Sequence, residues 1–352
     1  MLATLMLVSG LAVGSFLKQG QPQQLRPTTL PAASANLSET FTALTSVREL
    51  SDGRVLLSDP RERRLVVADF AHQRVDHLAR RGQGPGEFSN AVPFHALSAD
   101  SSVVADGIAK RWLLFHGTRI VATRTANDAE VRHVTFPYGF DYRGFVLTTH
   151  SPPTDATGRQ LNVADSIYLV RVARSTGHSD TIARLRPPPS EVNRLPGGLA
   201  VYEQAVLAPD GWVAVVRLDP YRIDWRSPDG QWLHGAPIPV PLERMDAAER
   251  QFYEGEPRPG PQRVTVRWPE YLPPFTIGWP PIATFDGKVV IRRAKSVHTS
   301  GTRYDVVDHR GRLVKQLLLP HNERILGFGQ ESVYIVVRDD VDLETVRRHP
   351  WR

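Results

Sequence analysis

The sequence predicts an all-β chain folded as a six-bladed β-propeller of four-stranded antiparallel blades, and three observations point there. From Asn36 onward helical periodicity is almost absent, and short runs rich in Val, Leu, Ile and Tyr are separated by turn chemistry. One kind of turn recurs six times, centred on Asp52, Asp100, Arg143, Asp210, Asp286 and Gln330. Each is followed by a second hairpin, giving four strands per unit at a spacing of ~40–50 residues, the period of propeller blades.

The first turn of each unit precedes an apolar run. Asp52-Gly53 leads into Val55-Leu56-Leu57, Asp100-Ser101 into Val103-Val104, and Gly144 into Phe145-Val146-Leu147. Asp210-Gly211 leads into Trp212-Val213-Ala214-Val215, Asp286-Gly287 into Val289-Val290-Ile291, and Gly329-Gln330-Glu331 into Val333-Tyr334-Ile335-Val336. Asp-Gly between apolar runs is a strong hairpin signal because both residues accept the positive φ of tight turns. Second hairpins follow, such as Tyr304 to Val307 and Leu313 to Leu317 around His309-Arg310-Gly311, and Ile223 to Trp225 and Gln231 to Leu233 around Pro228-Asp229-Gly230.

The sixth unit is short. After Val333 to Arg338 it offers one more candidate strand, Leu343 to Arg348, before the sequence stops. A strand near Leu37 to Phe41 is expected to supply the missing fourth strand, which closes the ring and removes two free edges.

Between units one and two lies Gly82-Gln83-Gly84-Pro85-Gly86-Glu87-Phe88, followed by Pro93. Glycines permit backbone conformations closed to other residues, Pro85 fixes one φ, and Phe88 can anchor the loop between blades. The spacing is not Gly-x-Gly-x-x-Gly and no helix follows, so a phosphate cradle is excluded. Together with Asp52 to Asp59 and Arg64 to Phe70, this segment resembles the NHL-repeat blade. It is also similar to bacterial six-bladed propeller proteins with a Gly-x-Gly-Pro-Gly-Glu-Phe connector. The resemblance covers residues 48–97 and implies the fold; it implies little about activity, since propellers host unrelated functions.

Composition bounds the chemistry. The chain has 352 residues, 41% of them hydrophobic, enough for a large core. Cysteine is absent, which excludes disulfides, thiolate nucleophiles and thiolate metal sites. The net charge of +6 is spread thinly, mostly as Arg, with acids interleaved as in Arg61-Glu62-Arg63-Arg64; no nucleic-acid partner is expected. No metalloprotease, nucleophile-elbow or phosphate-loop motif is present, and the twelve His residues are scattered.

Asp59, Asp69 and Asp106 end apolar strands. They read as turn caps or Arg partners; resemblance to gluconolactonase-like propellers makes them the alternative ligands of a channel cation, Ca or another divalent ion. Otherwise no cofactor is expected. The acidic run at residues 339–344 reads as a solvated turn, lacking the glycine of a calcium loop.

Residues 1–17 read as a signal peptide or N-terminal anchor, and residues 18–35 as a linker to a propeller spanning 36–352. The protein is therefore expected in the periplasm or outside the cell, or tethered to a membrane through this segment alone. An insertion at residues 242–275 stretches the interval between units four and five. Residues 242–253 carry helical periodicity, and Arg263, Arg267, Trp268, Tyr271 and Phe275 follow as candidate binding residues, because long loops on rigid scaffolds concentrate recognition. The reading is a binding scaffold for a protein or small-molecule partner, more a binder than an enzyme. The alternative is a metal-dependent hydrolase or lactonase.

Overall fold

The computed structural model describes residues 25–84, 86–90, 93–132, 134, 137–150, 167–186, 199, 201–254, 267–275 and 280–351. Strand β1 (Ala35–Phe41) comes first in the chain. Blade one then contains β2 (Ser46–Glu49), β3 (Val55–Asp59), β4 (Arg64–Asp69) and β5 (Arg74–His77). Blade two contains β6 (Phe94–Ala96), β7 (Ser101–Asp106), β8 (Arg111–His116) and β9 (Arg119–Thr125). After a four-residue helix α1 (Ala129–Arg132), blade three contains β10 (Gly139–Phe140), β11 (Phe145–His150), β12 (Ile167–Ala173) and β13 (Ser179–Leu185). Blade four contains β14 (Gln204–Leu207), β15 (Val213–Leu218), β16 (Tyr221–Arg226) and β17 (Trp232–His234). Helix α2 (Ala247–Glu254) precedes blade five, which contains β18 (Ile282–Ala283), β19 (Lys288–Arg292), β20 (Thr302–Asp308) and β21 (Leu313–Leu319). Blade six contains β22 (Glu323–Phe328), β23 (Ser332–Arg338) and β24 (Glu344–Pro350).

Every blade is an antiparallel sheet of four strands, and the sixth is completed by β1 in the order β1-β24-β23-β22. The register sets Leu37 opposite Val346 and Ala35 opposite Arg348. The six four-stranded blades form a β-propeller, and the closing strand lies where the sequence placed it.

Period-two alternation assembles the ring. Along β3, Val55 and Leu57 face blade six, while Leu56 faces blade two; along β4, Val66 and Ala68 face one way and Leu65 and Val67 the other. Each blade is therefore apolar on both faces, and six buried clusters result, one at each blade interface. The first turn of blade one closes through Gly53 at φ +84°, and that of blade five through Gly287 at φ +76°, conformations a side chain would strain.

The connector between blades one and two is held from both sides. Phe88 is buried with Leu56 and Leu65 of blade one and Phe94 and Leu113 of blade two. Glu87 folds back so that its Oε2 accepts from the Gly84 N–H at 2.7 Å. The buried Arg111 guanidinium donates to the carbonyls of Gly82 at 2.8 Å and of Gln83 and Gly84 at 3.0 Å. A Cβ on Gly82 would stand 2.0 Å from Glu87 Oε2 and would displace that carboxylate from the Gly84 N–H. Pro85 lies outside the described residues.

Two features differ from the sequence reading. Helix α2 begins at Ala247 rather than at residue 242, because Arg244 bridges Tyr271 and Met245 N donates to Glu270 O at 2.9 Å, which holds that stretch extended. Asp246 then caps the helix, its Oδ1 accepting from Glu249 N at 2.9 Å. In addition, part of the expected linker is packed: Thr28 N donates to Gln316 O at 2.9 Å and Thr28 O accepts from Leu318 N at 3.0 Å, along the outer strand of blade five. Residues 1–17, the expected export signal, lie outside the described residues.

Ring closure should dominate stability. Phe41→Ala, at a fully buried site between blades one and six, is expected to cost about 3–5 kcal/mol in urea unfolding. Gly82→Ala and Glu87→Ala should each cost roughly 1–3 kcal/mol, and the double variant little more than either, because both break the same bond; a double-mutant cycle checks this.

Candidate functional site

The six inner strands β2, β6, β10, β14, β18 and β22 surround an axial channel of about 630 Å³. Each inner strand is an edge strand of its sheet, and its residues, with those just before it, line the axis. Val47, Val206, Ile282 and Leu326 supply aliphatic surface, and Phe140, Tyr138, Tyr202 and Phe285 supply rings. Prolines line it too: Pro93, Pro137 and Pro281 stand immediately or almost immediately before inner strands, where the missing N–H costs no ladder bond.

Besides Thr45, Gln204 and the Tyr138 and Tyr202 hydroxyls, three polar side chains line the channel. Arg48 turns its guanidinium into the protein, donating to the carbonyls of Glu49, Ala99 and, at 2.7 Å, Ser98. His95 packs its ring against Phe140 at 5.2 Å, and burial pushes its imidazole down to about 4, so it is neutral at physiological pH. Ser46 Oγ accepts from Phe94 N at 3.0 Å. The described lining holds no carboxylate and a single imidazole. A calcium ion needs six to eight oxygen ligands. This donor set does not fit a divalent cation, and among the described residues no group of three or more His, Asp or Glu could hold a metal. Chemically, the channel can enclose a largely apolar molecule and offer it a neutral imidazole and the polar groups of Thr45, Tyr138, Tyr202 and Gln204. Its volume falls in the ~300–1,000 Å³ range of small-molecule sites.

The three strand-ending aspartates lie elsewhere. Asp59 Oδ1 accepts from Arg61 N and Glu62 N at 3.1 Å, and its Oδ2 accepts from Thr42 N at 2.7 Å, tying the turn to the chain entering blade one. Asp106 repeats the arrangement one blade later, accepting from Ala109 N at 3.1 Å and from Ser89 N of the connector at 2.6 Å. Asp69 accepts from Ala71 N at 2.9 Å and His72 N at 3.1 Å; a hydrogen bond from His72 holds its carboxyl below the ordinary value. In the acidic run, Asp339 Oδ1 caps its own turn through Val341 N and Leu343 N, and Glu344 is buried against Arg324 at 2.8 Å.

The 242–275 excursion is clamped over blade five. Buried Glu249 accepts from Ser296 Oγ and, at 3.3 Å, from Val297 N, and Tyr253 Oη donates to Lys295 O at 2.6 Å. Among its candidate binding residues, Phe275 is 2% exposed and packs with Tyr221 between blades four and five, while Trp268 and Tyr271 are half-buried and Arg267 is exposed. Trp268 borders a small satellite cluster of Leu199, Met245, Tyr253 and Leu272. Arg263 lies outside the described residues. The structure thus gathers Trp268 with the helix but sets Phe275 in the main core. The channel residues escaped the sequence reading because they come two to four at a time from six separate inner strands. The prolines ahead of β6, β10 and β18 were the available signal.

No family model matches the chain, and no curated protein matches it. Solved structures resemble it. A member of the DUF4221 family from Bacteroides vulgatus superposes with a TM-score of 0.50 at 11% identity, over 92% of this chain and 97% of that one. A Bacteroides fragilis protein described as exported gives 0.49 at 11% identity, over 94% and 95%. A gluconolactonase from Xanthomonas campestris gives 0.45 at 12% identity, over 94% and 96%. At these identities the likeness is one of fold: a six-bladed propeller.

Proposed function

We propose that this protein is an exported or membrane-tethered, NHL-like propeller that binds a small, largely apolar molecule in its axial channel, without catalysis. The observation that carries the reading is the described channel lining: mainly aliphatic and aromatic side chains around about 630 Å³, with no carboxylate and with His95, Gln204 and the Tyr138 and Tyr202 hydroxyls among its few polar groups. Burying such a ligand would release its apolar surface from water at ~25 cal/mol per Å². The connector at Gly82 to Phe88 supports the NHL-like reading, and the uncharged stretch at residues 1–17 supports export. A lactonase would need a cation on the axis, and the described lining offers no carboxylate to hold it. Recognition of a protein by the 242–275 excursion is the weaker reading, because Phe275 and Leu272 are buried as packing.

Titration with the neutral dye Nile red tests the proposal. The parent protein should bind it with a blue-shifted emission, and Val206→Arg, which sets a charge on the axis, should weaken binding by at least roughly tenfold. Equal affinity in the two proteins would end the channel reading.

His95 gives a pH signature. Its folded-state value of about 4 lies below the ordinary 6.5, so between those values the unfolded chain binds more protons. Stability tied to this residue is present above pH 6.5 and is lost as the pH falls toward 4. Tm should therefore drop less over that interval in His95→Phe than in the parent.

A further inference from the structure

Antiparallel blades place two kinds of turn on one face of the ring: those joining first to second strands and those joining third to fourth. On that face, at blade three and its seam with blade four, four arginines lie, with Arg171 and Arg226 near enough to repel and Arg171 and Arg174 both in range of Asp141. Arg143 lies in the β10–β11 turn, Arg171 in β12, Arg174 directly after it, and Arg226 at the end of β16. The β14–β15 turn sits among them: a Cβ on Gly211 would meet Arg143 Cδ at 2.8 Å, Asp141 Oδ2 at 3.2 Å and Pro228 Cγ at 3.4 Å. Arg171 stacks on Phe145 at 4.5 Å and its Nη1 donates to Pro228 O at 3.2 Å.

Three carboxylates face these four arginines: Asp141; Asp180, which attracts Arg226 as well as Arg171; and Glu130, which attracts Arg174 but is also paired with Arg124 at 3.3 Å. Asp141 spends Oδ1 on the N–H groups of Arg143 at 3.0 Å and Phe145 at 2.7 Å. Burial raises its carboxyl above the ordinary value even with Arg174 and Arg171 in range. Asp180 stands 4.0 Å from Arg171 Nη2 and is shared with His178 Nε2 at 3.1 Å. Among the described residues, Nη1 of Arg226 and Nε of Arg171 and Arg174 are buried without a hydrogen-bond partner. Burial, and then the charge of Arg171, lowers the Arg226 guanidinium. Desolvated cationic donors of this kind are costly alone and favourable once an anion joins them.

We propose that this patch between blades three and four binds an oxyanion, a phosphate or sulfate group, either free or carried as an ester on a small molecule. Guanidinium forks match the oxygens of such groups in bidentate fashion, which a chloride ion cannot reproduce. The patch uses none of the channel residues, so it stands or falls separately from the axial site.

The test is thermal unfolding and calorimetric titration with inorganic phosphate, inorganic sulfate and phenyl phosphate, each against sodium chloride at equal ionic strength. Phosphate or sulfate should raise Tm beyond chloride, and stronger binding of phenyl phosphate would identify an ester as the preferred source. Arg174→Gln/Arg226→Gln should lower the affinity by at least roughly tenfold. Without oxyanion, Arg226→Gln should be at least as stable as the parent, since it removes repulsion from Arg171. Responses no greater than to chloride, an unchanged affinity in the double variant, or an Arg226→Gln protein destabilised in chloride alone would each overturn the proposal.

Discussion

Everything in this molecule depends on the burial of both faces of every blade. A four-stranded sheet with one wet face alternates apolar and polar residues, whereas β3 and β4 carry Val55-Leu56-Leu57 and Leu65-Val66-Val67 as continuous apolar runs. Each such strand sends alternate side chains to the two neighbouring blades, so no blade can satisfy itself alone. Six interfaces close only if the first and last blades also meet, and Leu37, Phe41, Tyr334 and Val346 share one cluster at that junction. The closing strand follows from the same requirement as the repeat itself.

That constraint also creates the channel. Inner strands that pack sideways on their neighbours leave their free edges around the axis, and in this chain the lining is mainly aliphatic and aromatic. The turn and connector segments meanwhile absorb the acids. Asp59 and Asp106 occupy equivalent places in successive blades and hold the chain entering each blade through its backbone N–H groups. A carboxylate used this way is a structural tie.

Much of the fold was legible because it is written locally. Asp-Gly turns and β-branched runs located six first hairpins, and the deficit of one strand after Arg338 announced the closure by β1. The helix at residues 242–253 was read too long, since periodicity says nothing of Arg244 pairing with Tyr271 across the excursion. The sites were far less legible. The channel is assembled from two to four residues of each of six strands, and Val47, Val206 and Ile282 are ordinary strand residues until the ring brings them together. Arg143, Arg171 and Arg174 belong to blade three, and Arg226 joins them only through the packing of blade four. The aromatic stretch from Trp268 to Phe275 drew attention because it is contiguous, yet Phe275 serves the core.

The axis of the ring is proposed as a largely apolar binding site. A crystal structure of the protein grown with Nile red would test it most directly. The account predicts dye density along the axis, in contact with Val47, Val206 and Ile282 and beside the His95 ring. Dye bound only on the outer surface, with ordered water filling the axis, would contradict it.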